Sequence, residues 1–228
     1  MIFLEFEVSD QAKEMLRQVQ GPLAVVAVAG MYRTGKSFLL NRMLLNRGDC
    51  SRPQGFGVGP SINPCTKGLW LWGTPVQGNT SDGQPVSVLV VDSEGIGGLD
   101  EDNNHDMRIF SLALLLSSFF LYNSVGSIDE NALSSLSLVV NITKHIQASS
   151  GALSEHLPSF LWVVRDFALQ LVDEAGAPLS EKDYLERALA ERGPSEDPKN
   201  EVRRALKQHF LDRRCCTMIR PLTNEEEL

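Results

Sequence analysis

The feature that most constrains this chain is the segment Gly30-Met31-Tyr32-Arg33-Thr34-Gly35-Lys36-Ser37, which fits the pattern G-x-x-x-x-G-K-[ST]. It follows the unbroken apolar run LAVVAVA, residues 23–29, and opens an apolar-periodic stretch from Ser37 to Leu45. A short continuous apolar run reads as a central parallel strand buried on both faces. Strand, loop and helix in that order form the context in which such a loop grips phosphate. Its glycines let backbone N–H groups curl inward on the anion. Lys36 sets a cation against the β- and γ-phosphates, and Ser37 offers a hydroxyl to Mg²⁺. The helix that follows presents its positive end to the same anion.

The rest of the chain alternates in the way this loop demands. Leu69 to Trp72, Val86 to Val91, Phe119 to Tyr122, Phe160 to Val164 and Cys215 to Ile219 read as strands, with the turn-rich GNTSDGQP between the first two. Met107 to Ser117, Asn131 to Gln147, Glu181 to Glu191 and Lys199 to Leu211 read as helices, and 48–63 and 95–106 as loops. Strands alternating with helices predict an α/β fold, a P-loop NTPase three-layer sandwich with a mostly parallel central sheet and helices on both faces. With 228 residues, 43% of them hydrophobic, the chain has core enough for one domain, expected to span 1–228.

Charge narrows the partners. A net charge of -8 argues against nucleic acid, whose phosphate backbone needs a basic face. A small nucleotide is compatible, because one loop and a metal ion meet its charge. Cys50, Cys65, Cys215 and Cys216 show neither zinc-ligand nor disulfide spacing, so reduced thiols in a cytoplasmic protein are expected. His105, His145, His156 and His209 are scattered without metal-ligand spacing. The apolar stretch from Ile109 to Tyr122 is too short to cross a bilayer, so no transmembrane segment is expected.

A second acidic site follows the run VLVV: Asp92-Ser93-Glu94-Gly95. A carboxylate at the end of a buried strand suits a second Mg²⁺ group, and Gly95 can bring a backbone N–H near the γ-phosphate. In Ras-like enzymes a Gln follows this Gly and orients the attacking water; here Ile96 stands there. Glu94 reads either as the water-positioning group or as an ordinary solvated acid. Arg165-Asp166, after LWVV, reads either as a surface ion pair or as a base reader.

Taken together, GMYRTGKSFLLNRML, PCTKGLWLW, VVDSEGIGG, LYNSVGSIDENAL, LWVVRDF and MIRPL resemble the G domain of guanylate-binding proteins, of the GB1/RHD3 type within the dynamin-related large GTPases. The resemblance runs from about Pro22 to Leu222. It implies a GTPase that uses Mg²⁺ to make GDP and phosphate and pairs as a homodimer through its nucleotide face. Arg33 matches an arginine finger inside the phosphate loop, and Thr66 the switch threonine that completes the Mg²⁺ shell. Asp166 matches the guanine reader, whose carboxylate accepts from N1–H and the exocyclic amine. Arg220 matches the arginine that opens the guanine cap. The implied nucleotide-binding set is Gly30, Tyr32, Arg33, Thr34, Gly35, Lys36, Ser37, Phe38, Gly95, Arg165, Asp166 and Arg220. The candidate catalytic set is Arg33 and Thr66 from the resemblance with Lys36 and Glu94 from the motifs themselves, and the candidate metal set Ser37, Thr66 and Asp92. The sequence also departs from the family. Pro64 stands where a serine commonly precedes the switch threonine by two residues, the cap after Arg220 is cut to a few residues, and the helical stalk is missing. Ile96, Pro64 and the short cap sustain a second reading, a nucleotide-gated binding module with little or no turnover. A third is an ATPase or phosphotransferase that shares only the loop.

Overall fold

The computed structural model describes residues 6–45, 55–58, 66–97, 103–137 and 157–220. Among the described residues seven strands build one sheet: β1 (Leu23–Gly30), β2 (Leu69–Leu71), β3 (Val76–Asn79), β4 (Pro85–Ser93), β5 (Phe119–Val125), β6 (Ser159–Arg165) and β7 (Arg213–Met218). Their spatial order is β2-β4-β1-β5-β6-β7, with β3 continuing the β2 edge along β4. The five strands from β4 to β7 in that order are mutually parallel. Only β2 and β3 run antiparallel to β4. The expected mostly parallel α/β sheet is what forms.

Strand periodicity divides the core into two layers. Along β1, Ala27 and Ala29 point to one face, and Val28 to the other. β6 repeats the division, with Phe160, Trp162 and Val164 on the first face and Val163 on the second. The first face is covered by α3 (Asn103–Leu116), α4 (Glu130–Ser134), α5 (Glu181–Ala188) and α6 (Pro198–His209). These contribute Phe110, Leu114, Leu133, Leu185, Val202 and Leu206. The second face is covered by α2 (Lys36–Leu40), which gives Leu39 and Leu40 and runs on into a π-helical turn at Asn41–Leu45. Helices therefore flank both faces, and no helix among the described residues is long and apolar enough to cross a membrane.

Several element limits differ from the sequence reading, each for a local reason. The run Ser37 to Leu45, expected as one α-helix, widens to π geometry at Asn41. There the Asn41 amide donates to the Phe56 carbonyl at 2.9 Å and accepts from the Phe56 N–H at 2.7 Å. The turn-rich segment after Trp72 hides β3, which pairs with β4 through a tight Thr80–Gln84 turn closed by Thr80 N–H on the Gln84 carbonyl at 2.8 Å. A first helix, α1 (Asp10–Gln18), is capped by the Ser9 hydroxyl and buries no residue, so it leaves no apolar stripe to read. The helix expected from Met107 starts earlier, at Asn103. Most of the 48–63 loop, Pro64, Cys65, the second half of the expected 131–147 helix and everything after Arg220 lie outside the described residues.

Candidate functional site

The carboxyl ends of β1, β4, β5 and β6 lie side by side, at the position where open parallel sheets hold their ligands. The chain leaves β1 at Gly30, whose φ is 150° and whose added Cβ would sit 2.1 Å from the Asn123 carbonyl oxygen of β5. Only glycine fits there. The loop then closes on itself: the Thr34 hydroxyl donates to the Met31 carbonyl at 2.8 Å, and Gly35, at φ 77°, hands the chain to α2.

Two neighbouring strands hold this loop from behind. Asn123 Nδ2 donates to the Thr34 carbonyl at 2.9 Å. Arg165, the last residue of β6, donates from Nη1 to the carbonyls of Thr34 (3.1 Å) and Gly35 (3.3 Å), and its guanidinium lies 5.6 Å from the Phe38 ring centre. With two carbonyls taken from behind, the loop's N–H groups are left to face forward. The sequence does not mark Asn123 as a site residue; its only signal is a polar side chain ending an otherwise apolar strand.

In front, an open cavity of about 230 Å³ is lined by Tyr32, Arg33, Gly35, Lys36, Ser37, Phe38, Thr66 and Gly95, among others. Lys36 is buried, and its ammonium donates to the Met31 carbonyl at 3.3 Å. Burial lowers its pKa to about 8, opposed by the charges of Asp92 and Glu94. Gly95 closes the other side. A Cβ there would meet Tyr32 Cα at 2.4 Å and Lys36 Nζ at 3.1 Å, so the acidic turn and the phosphate loop approach as closely as backbone allows. A bridge between Met31 and Ile96 fixes that approach, with Tyr32 N–H donating to the Ile96 carbonyl at 2.9 Å.

Asp92 lies fully buried at the end of β4. Its Oδ2 accepts from the Ser37 hydroxyl at 2.6 Å and the Thr66 hydroxyl at 3.0 Å. Its Oδ1 is buried with no hydrogen-bond partner among the described residues. Burial pushes this carboxyl above the usual range, against the pull of the two hydroxyls and Lys36. A partnerless carboxylate oxygen beside two hydroxyl oxygens is the donor set a hard divalent cation takes. The three residues expected to hold Mg²⁺ are thus brought together, and their chemistry fits that ion.

The remaining expected residues are placed less uniformly. Arg33 is exposed, at a left-handed φ of 59°, with its guanidinium 5.8 Å from the centre of its neighbour Tyr32's ring. Asp166 is the other non-glycine residue with positive φ among the described residues, 54°; it is half-buried one position beyond Arg165. Strained backbone of this kind gathers at functional sites. Glu94 is buried, but it turns to the Gly68 N–H (2.8 Å) and His105 Nε2 (3.2 Å) and is not among the residues lining the cavity. Arg220, exposed, is the last described residue. Sequence reading left His105 without a role, because its partner is distant along the chain.

A mostly parallel α/β sheet with a G-x-x-x-x-G-K-S turn over a buried lysine and an Asp–Ser–Thr oxygen cluster places the chain in the fold class of the P-loop NTPases. Comparison with known proteins narrows the class. The model of the guanylate-binding protein N-terminal domain matches residues 4–228. Human guanylate-binding protein 4 is 35% identical over 98% of this chain and 36% of its own length. Mouse guanylate-binding protein 3 is 36% identical over 98% of the chain and 37% of its own. Human guanylate-binding protein 2 is 35% identical over 91% of the chain and 36% of its own. The chain belongs to the guanylate-binding protein family and spans a little over a third of the length of these relatives.

Proposed function

We propose that this chain binds a guanine nucleoside triphosphate with Mg²⁺ and hydrolyses its terminal anhydride to GDP and phosphate. The observation that carries the reading is the Asp92 carboxylate: it gathers the Ser37 and Thr66 hydroxyls on one oxygen and keeps the other buried without a partner among the described residues, beside Lys36 and the phosphate loop. Bound there, Mg²⁺ would supply positive charge that offsets the charge of the phosphates. Ser37, Thr66 and Asp92 would hold it. Lys36 sets its charge on the β- and γ-phosphates, and the N–H groups of the 30–37 loop and Gly95 cradle their oxygens. Water attacks the γ-phosphorus, the bond to the β–γ bridging oxygen breaks with its electron pair leaving on GDP, and the water's proton passes to the phosphate formed and on to solvent. Arg33 reaches the charge that develops on the transferring group; fingers of this kind are worth about 10³ to 10⁵ in rate. Glu94 orients the water.

Guanine selection rests on Asp166. Its half-buried carboxylate, one position beyond Arg165, would accept from the two guanine donors. The relatives' shared name, guanylate-binding protein, supports the same base. Arg165 steadies the loop beneath and Arg220 begins the cover over the base. Two copies pair through the nucleotide face, which carries the exposed Met31 and Arg33. The free thiols of Cys215 and Cys216 suit a reducing cytoplasm.

A second reading, a nucleotide-gated binding module with little turnover, is favoured by Ile96 in place of a water-orienting side chain. Isothermal titration with analogues of GTP, GDP and ATP, each with Mg²⁺, tests the base; equal affinity for the ATP analogue would remove guanine from the proposal. Steady-state phosphate release then separates enzyme from module, since tight binding with no release above background leaves only the module.

A further inference from the structure

Glu94 and Gly68 are joined twice. Glu94 N–H donates to the Gly68 carbonyl at 2.9 Å, and Gly68 N–H donates back to Glu94 Oε2 at 2.8 Å. Gly68 holds a φ of 72°, a left-handed turn that delivers the chain into β2. It stands two residues after Thr66 and Glu94 two residues after Asp92, while the Thr66 hydroxyl bonds Asp92 itself. The segment that brings Thr66 to the site is therefore pinned at both ends to the end of β4. A third group completes this closure. His105, in the first turn of α3, places Nε2 3.2 Å from the same Glu94 oxygen. Its side chain is 17% exposed, and its ring lies 5.8 Å from that of Phe6.

We propose that His105 is a positioning residue for the hydrolysis put forward above, on which this inference rests: it fixes the Glu94 carboxylate and, through Gly68, the approach of Thr66. Beside a carboxylate oxygen the imidazole nitrogen carries the proton and donates. Two donors converging on Oε2 set the rotation of the buried carboxylate and leave Oε1 as the oxygen able to accept from water. Without His105 the carboxylate keeps one donor and swings about it, and the bond that holds Gly68 weakens with it. His105 is not among the residues lining the cavity, so its loss acts on the water and on the Thr66 segment; the phosphate loop, Ser37 and Asp92 keep their places, and Kd changes little.

The test compares the wild type with His105→Ala and His105→Gln, the latter because its amide nitrogen can stand where Nε2 stands. Three quantities are read: exchange of the Gly68 amide proton with solvent, Kd for a non-hydrolysable GTP analogue with Mg²⁺, and kcat for phosphate release. His105→Ala is expected to speed Gly68 exchange and lower kcat, each about tenfold, with Kd within about twofold of the wild type; His105→Gln recovers most of both losses. Gly68 exchange unchanged in His105→Ala overturns the proposal whatever the turnover. So does faster exchange with an unaltered kcat, or an equal loss in the Ala and Gln variants, which would mark His105 as packing for Phe6. A wild type that binds the analogue but releases no phosphate overturns the hydrolysis reading and the positioning role together, and Gly68 exchange then reports whether the His105 tether itself exists.

Discussion

At the scale of single residues, the site is fixed by close approach and by burial of charge. Gly30 has no room for a methyl group: its Cβ would lie 2.1 Å from a backbone oxygen of β5, at a φ of 150° that side chains seldom adopt. Gly30→Ala must therefore push β1 and β5 apart. We expect a loss of about 3 kcal/mol in unfolding free energy, read from urea denaturation, together with loss of nucleotide binding. Lys36 gives a prediction of opposite character. Its pKa is about 8 in the folded chain against 10.5 for the free side chain. Between those values the unfolded chain binds more protons than the folded one, so this group's contribution to the unfolding free energy rises with pH. The burden of the buried cation is fully present below pH 8 and is relieved by roughly 3 kcal/mol as pH climbs to 10.5. Urea titrations of the wild type and Lys36→Met between pH 7 and 10 should show the wild type gaining on the variant; parallel curves would mean that Lys36 is not desolvated.

At the scale of elements, the phosphate loop belongs to three strands. β1 leads into it, while β5 and β6 hold its Thr34 and Gly35 carbonyls through Asn123 and Arg165. Arg165→Ala removes one of those two grips and the guanidinium over Phe38, leaving the lone bond from Asn123. We expect nucleotide affinity to fall about tenfold by titration calorimetry, while the Asp92 cluster is untouched. A larger loss in Arg165→Lys than in Arg165→Ala would contradict this, since lysine keeps a donor but not the planar fork. The same elements show how much could be read in advance. β1, β4, β5 and β6 were legible because strands buried on both faces are continuous apolar runs, and the loop because its chemistry fixes residue types at fixed spacing. The Asp92–Ser37 pairing followed from that pattern. β3 and α1 were not legible: one is a half-exposed edge beside a polar turn, the other a helix that buries nothing. Nor could a linear reading bring Asn123 to Thr34 or His105 to Glu94, because register and sheet order make those contacts, across 89 residues in the first case and 11 in the second.

At the scale of the whole molecule, net charge sets how two copies meet. Each carries -8 before any nucleotide is bound. Two such bodies with centres on the order of 40 Å apart repel by about 7 kcal/mol in water without salt. Screening removes most of that term, because the Debye length shrinks from about 30 Å at 0.01 M to about 8 Å at 0.15 M. The proposed dimer would form through a face that includes the exposed Met31 as well as Arg33, so contact there does not depend on charge alone. Pairing in the presence of Mg²⁺ and a non-hydrolysable GTP analogue should therefore strengthen with salt, by about tenfold in association constant between 0.01 and 0.15 M. Sedimentation velocity at the two ionic strengths measures it directly. Pairing that instead weakens steeply over that range would mean that Arg33 and its neighbours meet acidic groups across the interface. The arginine would then serve the partner's surface, and its role on the transferring phosphate of its own chain would have to be given up.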